Sequence, residues 1–133
     1  MSARDLDRLF RPGSVALVGA SRRAGSIGAV IARNLLQAGF TGPILPVHPT
    51  NRSVAGVLAY PDVKSLPIAP DLAVIATPPA TVPGLIADLG ALGARAVVVI
   101  TAGFGEGQDA RGRALADAML EAARPHGLRI VGP

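Results

Sequence analysis

Short apolar runs alternate with helical patterns along this chain of 133 residues, and this alternation constrains the fold more than any other feature. Strands that alternate with helices in this way form parallel sheets through right-handed crossovers. We therefore predict an α/β fold, a Rossmann-like doubly wound parallel β-sheet of about five strands with helices on both faces. The predicted strands cover 15–18, 44–47, 72–76, 96–100 and 128–131, and the predicted helices cover 4–10, 26–39, 82–92 and 109–123.

Two stretches depart from the regular alternation. Residues 51–70 carry apolar side chains spread between prolines, and we predict a loop there with one short helical turn near residues 62–65. Pro46 lies within the second predicted strand and has no amide hydrogen to donate, which favours an edge position. The first helix is expected to pack its apolar residues, including Phe10, onto the edge of the sheet.

Composition excludes several classes of protein. The chain has no cysteine, and its two histidines, His48 and His126, are far apart, so neither disulfides nor a metal centre are expected. The net charge of +4 comes from scattered arginines, and only four residues are Phe or Tyr, which argues against nucleic-acid binding. No apolar run reaches the roughly 20 residues of a membrane span. We expect a cytoplasmic protein without a membrane partner.

The loop between the first strand and the second helix has the composition of an anion site. Three glycines and two arginines follow the strand within residues 19–28, and Ser26 is a credible N-cap for the helix. Glycines allow close approach of the backbone, and the amides at a helix N-terminus attract negative charge. The same pattern also suits a tight turn that binds nothing.

A dinucleotide is the obvious anion, but the sequence argues against it. The fingerprint Gly-x-Gly-x-x-Gly starting at Gly19 would need glycine where Ser21 and Ala24 stand. The second strand ends in His48, where an NAD-binding fold places Asp or Glu. An NADP-binding alternative remains through Arg52, which could meet a 2′-phosphate.

Six segments together resemble a known family. They read Val-Ala-Leu-Val-Gly-Ala-Ser (15–21), Gly-Ser-Ile-Gly (25–28), Pro-Val-His-Pro (46–49), Ala-Thr-Pro-Pro (76–79), Ile-Thr-Ala-Gly-Phe-Gly-Glu (100–106) and Val-Gly-Pro (131–133). In this order they resemble the N-terminal CoA-binding domain of NDP-forming acyl-CoA synthetases. That group includes ADP-forming acetate–CoA ligases, the α subunit of succinyl-CoA synthetase, and proteins fused to a GNAT protein acetyltransferase.

The resemblance implies that coenzyme A or an acyl-CoA lies across the strand ends. It assigns the CoA phosphates to the loop residues Gly19, Ala20, Ser21, Arg22, Arg23, Gly25, Ser26 and Ile27. It places Val47, His48 and Pro49 along the adenosine, and lines the pantetheine path with Thr77, Pro78, Pro79, Thr101, Ala102 and Gly103. It implies no catalytic residue in this chain, so the isolated domain is expected to bind CoA without turnover.

The resemblance also implies partners beyond this chain. Residues 1–133 are expected to be the excised N-terminal domain of a longer protein, followed by synthetase-like, ATP-grasp or GNAT domains. ATP or ADP would be used only by those domains. The family's phosphorylated histidine belongs to the following domain, so neither His48 nor His126 inherits that role. A regulatory CoA sensor that controls an attached acetyltransferase is the alternative function.

One departure from the family pattern concerns the second strand end. A lysine often follows the Asn-Pro or Thr-Pro element there, whereas this chain reads His-Pro-Thr-Asn-Arg at residues 48–52. Arg52 is the candidate to replace that phosphate contact.

Overall fold

The computed structural model describes residues 3–101 and 110–132. The strands are β1 (Val15–Val18), β2 (Ile44–Val47), β3 (Ser53–Val54), β4 (Val57–Leu58), β5 (Leu72–Ile75), β6 (Ala96–Val99) and β7 (Arg129–Val131). The helices are α1 (Ala3–Phe10), α2 (Ile27–Gln37), α3 (Val82–Leu92) and α4 (Ala110–Ala123), with short 3-10 helices at Val63–Ser65, Pro79–Thr81 and Arg124–His126.

Five of the strands form one parallel sheet in the order β2-β1-β5-β6-β7, and β3 and β4 form a separate antiparallel hairpin. The chain moves outward from β1 to β2 and then crosses back to β5 on the other side of β1. The strand order therefore reverses between β1 and β5. In open α/β sheets this reversal opens a crevice beyond the carboxyl ends of the strands.

Helices cover both faces of the sheet, which confirms the predicted α/β Rossmann-like fold. Alternate side chains of β1 point to opposite faces, because successive residues in a strand do so. Ala16 and Val18 pack into the core beneath α3 and α4, whereas Leu17 packs beneath α2. All four residues of β1 are buried, as expected for a central parallel strand.

The observed elements agree closely with the predicted ones, with two exceptions. Helix α3 has the predicted bounds, and the predicted turn near 62–65 is the 3-10 helix Val63–Ser65. Residues 51–70, predicted as loop and turns, contain the β3–β4 hairpin, which the sequence did not indicate. The packing predicted for Phe10 is wrong, because this side chain is 75% exposed.

A polar network at the amino ends of the strands attaches α1 instead. The carboxylate of Asp71 accepts a hydrogen bond from Arg8 and another, of 2.8 Å, from the amide of Gly13. The Asp71 amide donates to Ser14 Oγ at 3.0 Å, and its carbonyl accepts from the Ala96 amide at 3.1 Å. One residue thus joins α1, the start of β1 and the start of β6.

Removing this carboxylate should destabilise the fold. We expect Asp71→Ala to lower the free energy of unfolding by about 2 kcal/mol, because Arg8 and the Gly13 amide lose a charged acceptor. The matched control is Glu121→Ala, which breaks the exposed Arg124–Glu121 ion pair and should cost less than about 0.5 kcal/mol. Urea unfolding monitored by circular dichroism measures both values, and equal losses would contradict the role given to Asp71.

Among residues 3–101 and 110–132, none of the helices has the length and hydrophobicity of a membrane span. Within the same residues, no three side chains of His, Asp or Glu gather as ligands for a metal ion.

Candidate functional site

The loop between β1 and α2 borders a cavity at the reversal point of the sheet. The cavity has a volume of about 470 Å³. Its lining comes from the loop, from the first residues of α2 and from the residue that follows β5: Gly19, Ser21, Arg23, Gly25, Ser26, Ile27, Gly28 and Ala76. Six of the lining residues are among the eight that the family resemblance assigns to the CoA phosphates. The structure brings these six together.

Ser26 organises the start of α2. Its Oγ accepts a hydrogen bond of 3.2 Å from the Ala29 amide, which is the predicted N-cap contact. The same hydroxyl donates to the Arg23 carbonyl at 2.8 Å, so it also fixes the loop that precedes the helix. The amides of Ile27 and Gly28 belong to the first helical turn and have no acceptor within the helix. Such amides at a helix N-terminus favour a phosphate.

Ser21 occupies the position where a dinucleotide fingerprint has its second glycine. Its Oγ accepts a hydrogen bond of 3.0 Å from the Arg23 amide, so one of the loop amides is already used within the loop. The glycine of the fingerprint lets the pyrophosphate approach the backbone closely. At Ser21 a side chain takes that space, and this favours a ligand held differently from NAD.

Two glycines allow β1, β5 and α2 to approach each other at the cavity. Gly19 has a φ of 97°, and a Cβ there would lie 2.9 Å from the carbonyl carbon and oxygen of Ala76. A Cβ on Gly28 would lie 2.0 Å from the Gly19 carbonyl oxygen. Neither position has room for a side chain, so the narrow junction depends on both glycines.

A second cavity adjoins the first and is mostly apolar. It has a volume of about 410 Å³ and is lined by Ile27, Ala76, Thr77, Pro78, Pro79, Ile100 and Thr101. Ile27 and Ala76 line both cavities, so the two lie next to each other. The Thr101 hydroxyl donates to the Thr77 carbonyl at 2.7 Å and thereby joins the loops that follow β5 and β6. Of the residues predicted to line the pantetheine path, Ala102 and Gly103 lie outside the described residues.

The end of β2 lies beside the end of β1. The Val47 side chain is buried in the core, and its carbonyl accepts a hydrogen bond of 3.2 Å from the Gly19 amide. Ala20 is likewise buried, so these two predicted ligand residues offer only backbone atoms. Pro49 is exposed, and His48 is half-buried with its ring turned onto the backbone of the turn that follows.

Three arginines surround this end of the sheet. Arg22, Arg23 and Arg52 are exposed. Both salt bridges observed in the described part of the chain involve other arginines, Arg8 and Arg124. The positive charge of the three arginines is therefore not neutralised there by an ion pair, and it suits an anionic ligand.

Three cavity residues were missing from the predicted site: Gly28, Ala76 and Ile100. Ala76 and Ile100 directly follow β5 and β6, so the rule that ligands bind at the carboxyl ends of strands could have found them. Their small or aliphatic side chains carry no chemical signature of their own. Gly28 lies within the anion loop, where its contact with β1 becomes visible only in the fold.

Comparison with known proteins identifies the family of this chain. The family described as CoA binding domain matches residues 13–133. This chain belongs to that family. The CoA-binding domain is 40% identical over 129 residues to the ADP-forming acetate–CoA ligase II of Archaeoglobus fulgidus, covering 97% of this chain and 19% of the ligase. It is 37% identical to the α subunit of the ADP-forming acetate–CoA ligase I of Pyrococcus furiosus, covering 96% of this chain and 28% of the subunit.

Solved structures agree with this assignment. The CoA-binding domain superposes on the apo form of dinucleotide-forming acetyl-coenzyme A synthetase 1 from Ca. Korarchaeum cryptofilum with a TM-score of 0.90 and 41% identity. The match covers 96% of this chain and 27% of that one. An NADPH-dependent glyoxylate/hydroxypyruvate reductase from Sinorhizobium meliloti, at 22% identity and a TM-score of 0.57, shares only the fold. The chain thus spans only 19–28% of the length of the ligases and synthetase that it matches.

Proposed function

We propose that this domain binds coenzyme A across the carboxyl ends of β1, β2, β5 and β6. The observation that carries the proposal is the adjacency of two unlike cavities that share Ile27 and Ala76, one bordered by helix amides and Arg23, the other mostly apolar. CoA has the same division, because its nucleotide end carries three phosphates and its pantetheine arm is uncharged. Its pyrophosphate fits the loop at residues 19–28, and its arm fits the cavity beside Thr77 and Thr101.

The 3′-phosphate of CoA is assigned to Arg52 in this proposal. Arg52 is exposed, follows the end of β2 and takes the place of the lysine that is frequent in the resembling family. Guanidinium groups bind phosphate through two parallel hydrogen bonds, so the replacement keeps a phosphate ligand. Pro49 and the backbone of His48 then lie along the adenosine, between the two phosphate positions, while the His48 ring is engaged by the turn that follows.

Calorimetric titration with CoA, dephospho-CoA and NADP tests the ligand. We expect CoA to bind and NADP to show no binding at millimolar concentration. Dephospho-CoA lacks the 3′-phosphate and should bind about five- to tenfold more weakly than CoA. NADP binding without CoA binding would overturn the proposal.

The variant Arg52→Ala tests the phosphate assignment separately. It should reduce the affinity for CoA to that of dephospho-CoA and leave the affinity for dephospho-CoA unchanged. Arg95→Ala is the matched control. Arg95 is also exposed, but it directly precedes β6 and therefore lies at the amino ends of the strands, away from the proposed site. An Arg52→Ala variant that still distinguishes CoA from dephospho-CoA would contradict the contact.

In the longer protein, the proposed role is that of the N-terminal module of an ADP-forming acyl-CoA synthetase. The ligases and the synthetase named above support this role, because the chain is 37–41% identical to them. Other domains would form the acyl phosphate with ATP, and this module would present the CoA thiol to it. None of those three proteins is named as an acetyltransferase, so the regulatory GNAT alternative has no support from them and is not proposed.

A further inference from the structure

His48 makes an unusual set of contacts at the end of β2. Its ring atom Nδ1 lies 2.9 Å from the Asn51 amide nitrogen and 3.1 Å from the Thr50 amide nitrogen. The Thr50 hydroxyl oxygen is a third neighbour, at 3.4 Å. A backbone amide is always a donor, so Nδ1 acts as an acceptor and carries no proton. In a neutral imidazole the proton then resides on Nε2.

These contacts fold residues 48–52 into a turn that is held at both ends. The His48 amide donates to the Tyr60 carbonyl at 2.9 Å, and the Tyr60 amide donates to the Pro46 carbonyl at 2.9 Å. At the other end, the Ala59 amide donates to the Arg52 carbonyl at 2.9 Å. The exposed side chain of Arg52 therefore projects from a fixed backbone. A side chain with a fixed origin loses less conformational entropy when it binds a ligand.

We propose that His48 is a positioning residue, whose Nδ1 builds the turn that presents Arg52 to a phosphate group of the ligand. Its effect on binding passes through the backbone of residues 50–52 and not through a ring contact with the ligand. The inference rests on the proposed CoA function, because the phosphate concerned is the 3′-phosphate.

Asparagine is the informative replacement at this position. Asn Oδ1 stands at the same distance along the side chain as His Nδ1, and asparagine side chains accept hydrogen bonds from amides two and three residues ahead. The variant His48→Asn thus keeps the turn but removes the rest of the ring. His48→Ala removes both.

Titration with CoA and dephospho-CoA distinguishes a role of His48 in the turn from a direct contact between its ring and the ligand. We expect His48→Ala to weaken CoA binding about fivefold with little effect on dephospho-CoA, and His48→Asn to stay within about twofold of the wild type for both ligands. A loss in His48→Asn equal to that in His48→Ala would overturn the proposal, since it would indicate a ring contact. An unchanged CoA affinity in His48→Ala would overturn it as well.

A double-mutant cycle tests the link to Arg52. Residues that act through one contact give non-additive losses, so His48→Ala combined with Arg52→Ala should bind CoA as weakly as Arg52→Ala alone. Additive losses would overturn the proposal.

Two measurements without ligand keep this inference distinct from the CoA assignment. Nitrogen-15 NMR of the imidazole should detect the tautomer with the proton on Nε2, and an Nδ1–H tautomer would overturn the proposal. Hydrogen exchange at the Thr50 and Asn51 amides should be faster in His48→Ala and remain slow in His48→Asn. If wild-type protein failed to bind CoA while both results held, the proposed function would fail and the turn geometry would stand.

Discussion

Ser26→Asp is expected to weaken CoA binding strongly while leaving the fold intact. Aspartate is as good an N-cap as serine, so the bond to the Ala29 amide survives and α2 still begins at the same residue, whereas the hydrogen bond that the Ser26 hydroxyl donates to the Arg23 carbonyl is lost. The new carboxylate would face the pyrophosphate across the cavity. At about 5 Å, repulsion between two unit charges costs about 1–3 kcal/mol, or roughly 5- to 150-fold in affinity.

The control for this variant is Ser26→Asn, which has nearly the same shape as aspartate and no charge. Asparagine also caps helices well, so its CoA affinity should stay within a few-fold of the wild type. Thermal unfolding of both variants checks that α2 is preserved. Equal weakening by Asn and Asp would show that charge is not the cause, and the pyrophosphate would then have to lie elsewhere.

Gly28→Ala should have the largest effect on stability. The added methyl group would stand 2.0 Å from the Gly19 carbonyl oxygen, so α2 must move away from β1. Over-packing in a core costs about 1–3 kcal/mol. Because both partners here are backbone, we expect a loss of about 3 kcal/mol or more. CoA binding should also be lost, because the amides of the loop are displaced.

Gly84→Ala provides the comparison for the same chemical change. Gly84 lies in the first turn of α3, and a Cβ there would have no neighbour within 4 Å. Replacing a helical glycine by alanine should raise the unfolding free energy by about 0.5 kcal/mol. Urea unfolding gives both values. An unchanged midpoint for Gly28→Ala would contradict the close contact between α2 and β1.

The regular part of the fold could be predicted because its signals are local. The run Val15–Val18 is apolar on both faces, and a strand covered on both sides buries such a run. The β3–β4 hairpin had no such signal. Its strands have two residues each, and its turn places Ala55 at a φ of 51° beside Gly56. Sequence rules associate such turns with Asn-Gly or Asp-Gly, because alanine rarely adopts a positive φ.

Ile27 was assigned to the site by the family resemblance, and it illustrates what the helical pattern alone could not predict. Helical spacing groups it with the core positions of α2, yet it is 62% exposed. It is the first residue of α2 and lines both cavities, so it lies at their junction. Helical periodicity predicts which side of a helix faces the sheet. It does not predict that the sheet ends before it covers the first residue of the helix. His48 is a similar case, since its contacts with backbone amides leave no mark in the sequence.

The outer edge of β2 is poorly suited to pairing with a strand of another molecule. Sheet edges tend to recruit strands from neighbouring chains through their unpaired amides and carbonyls. At this edge Pro46 has no amide hydrogen, and its carbonyl accepts a hydrogen bond from the Tyr60 amide. The His48 amide donates to the Tyr60 carbonyl. Edge-to-edge aggregation at β2 is thereby discouraged.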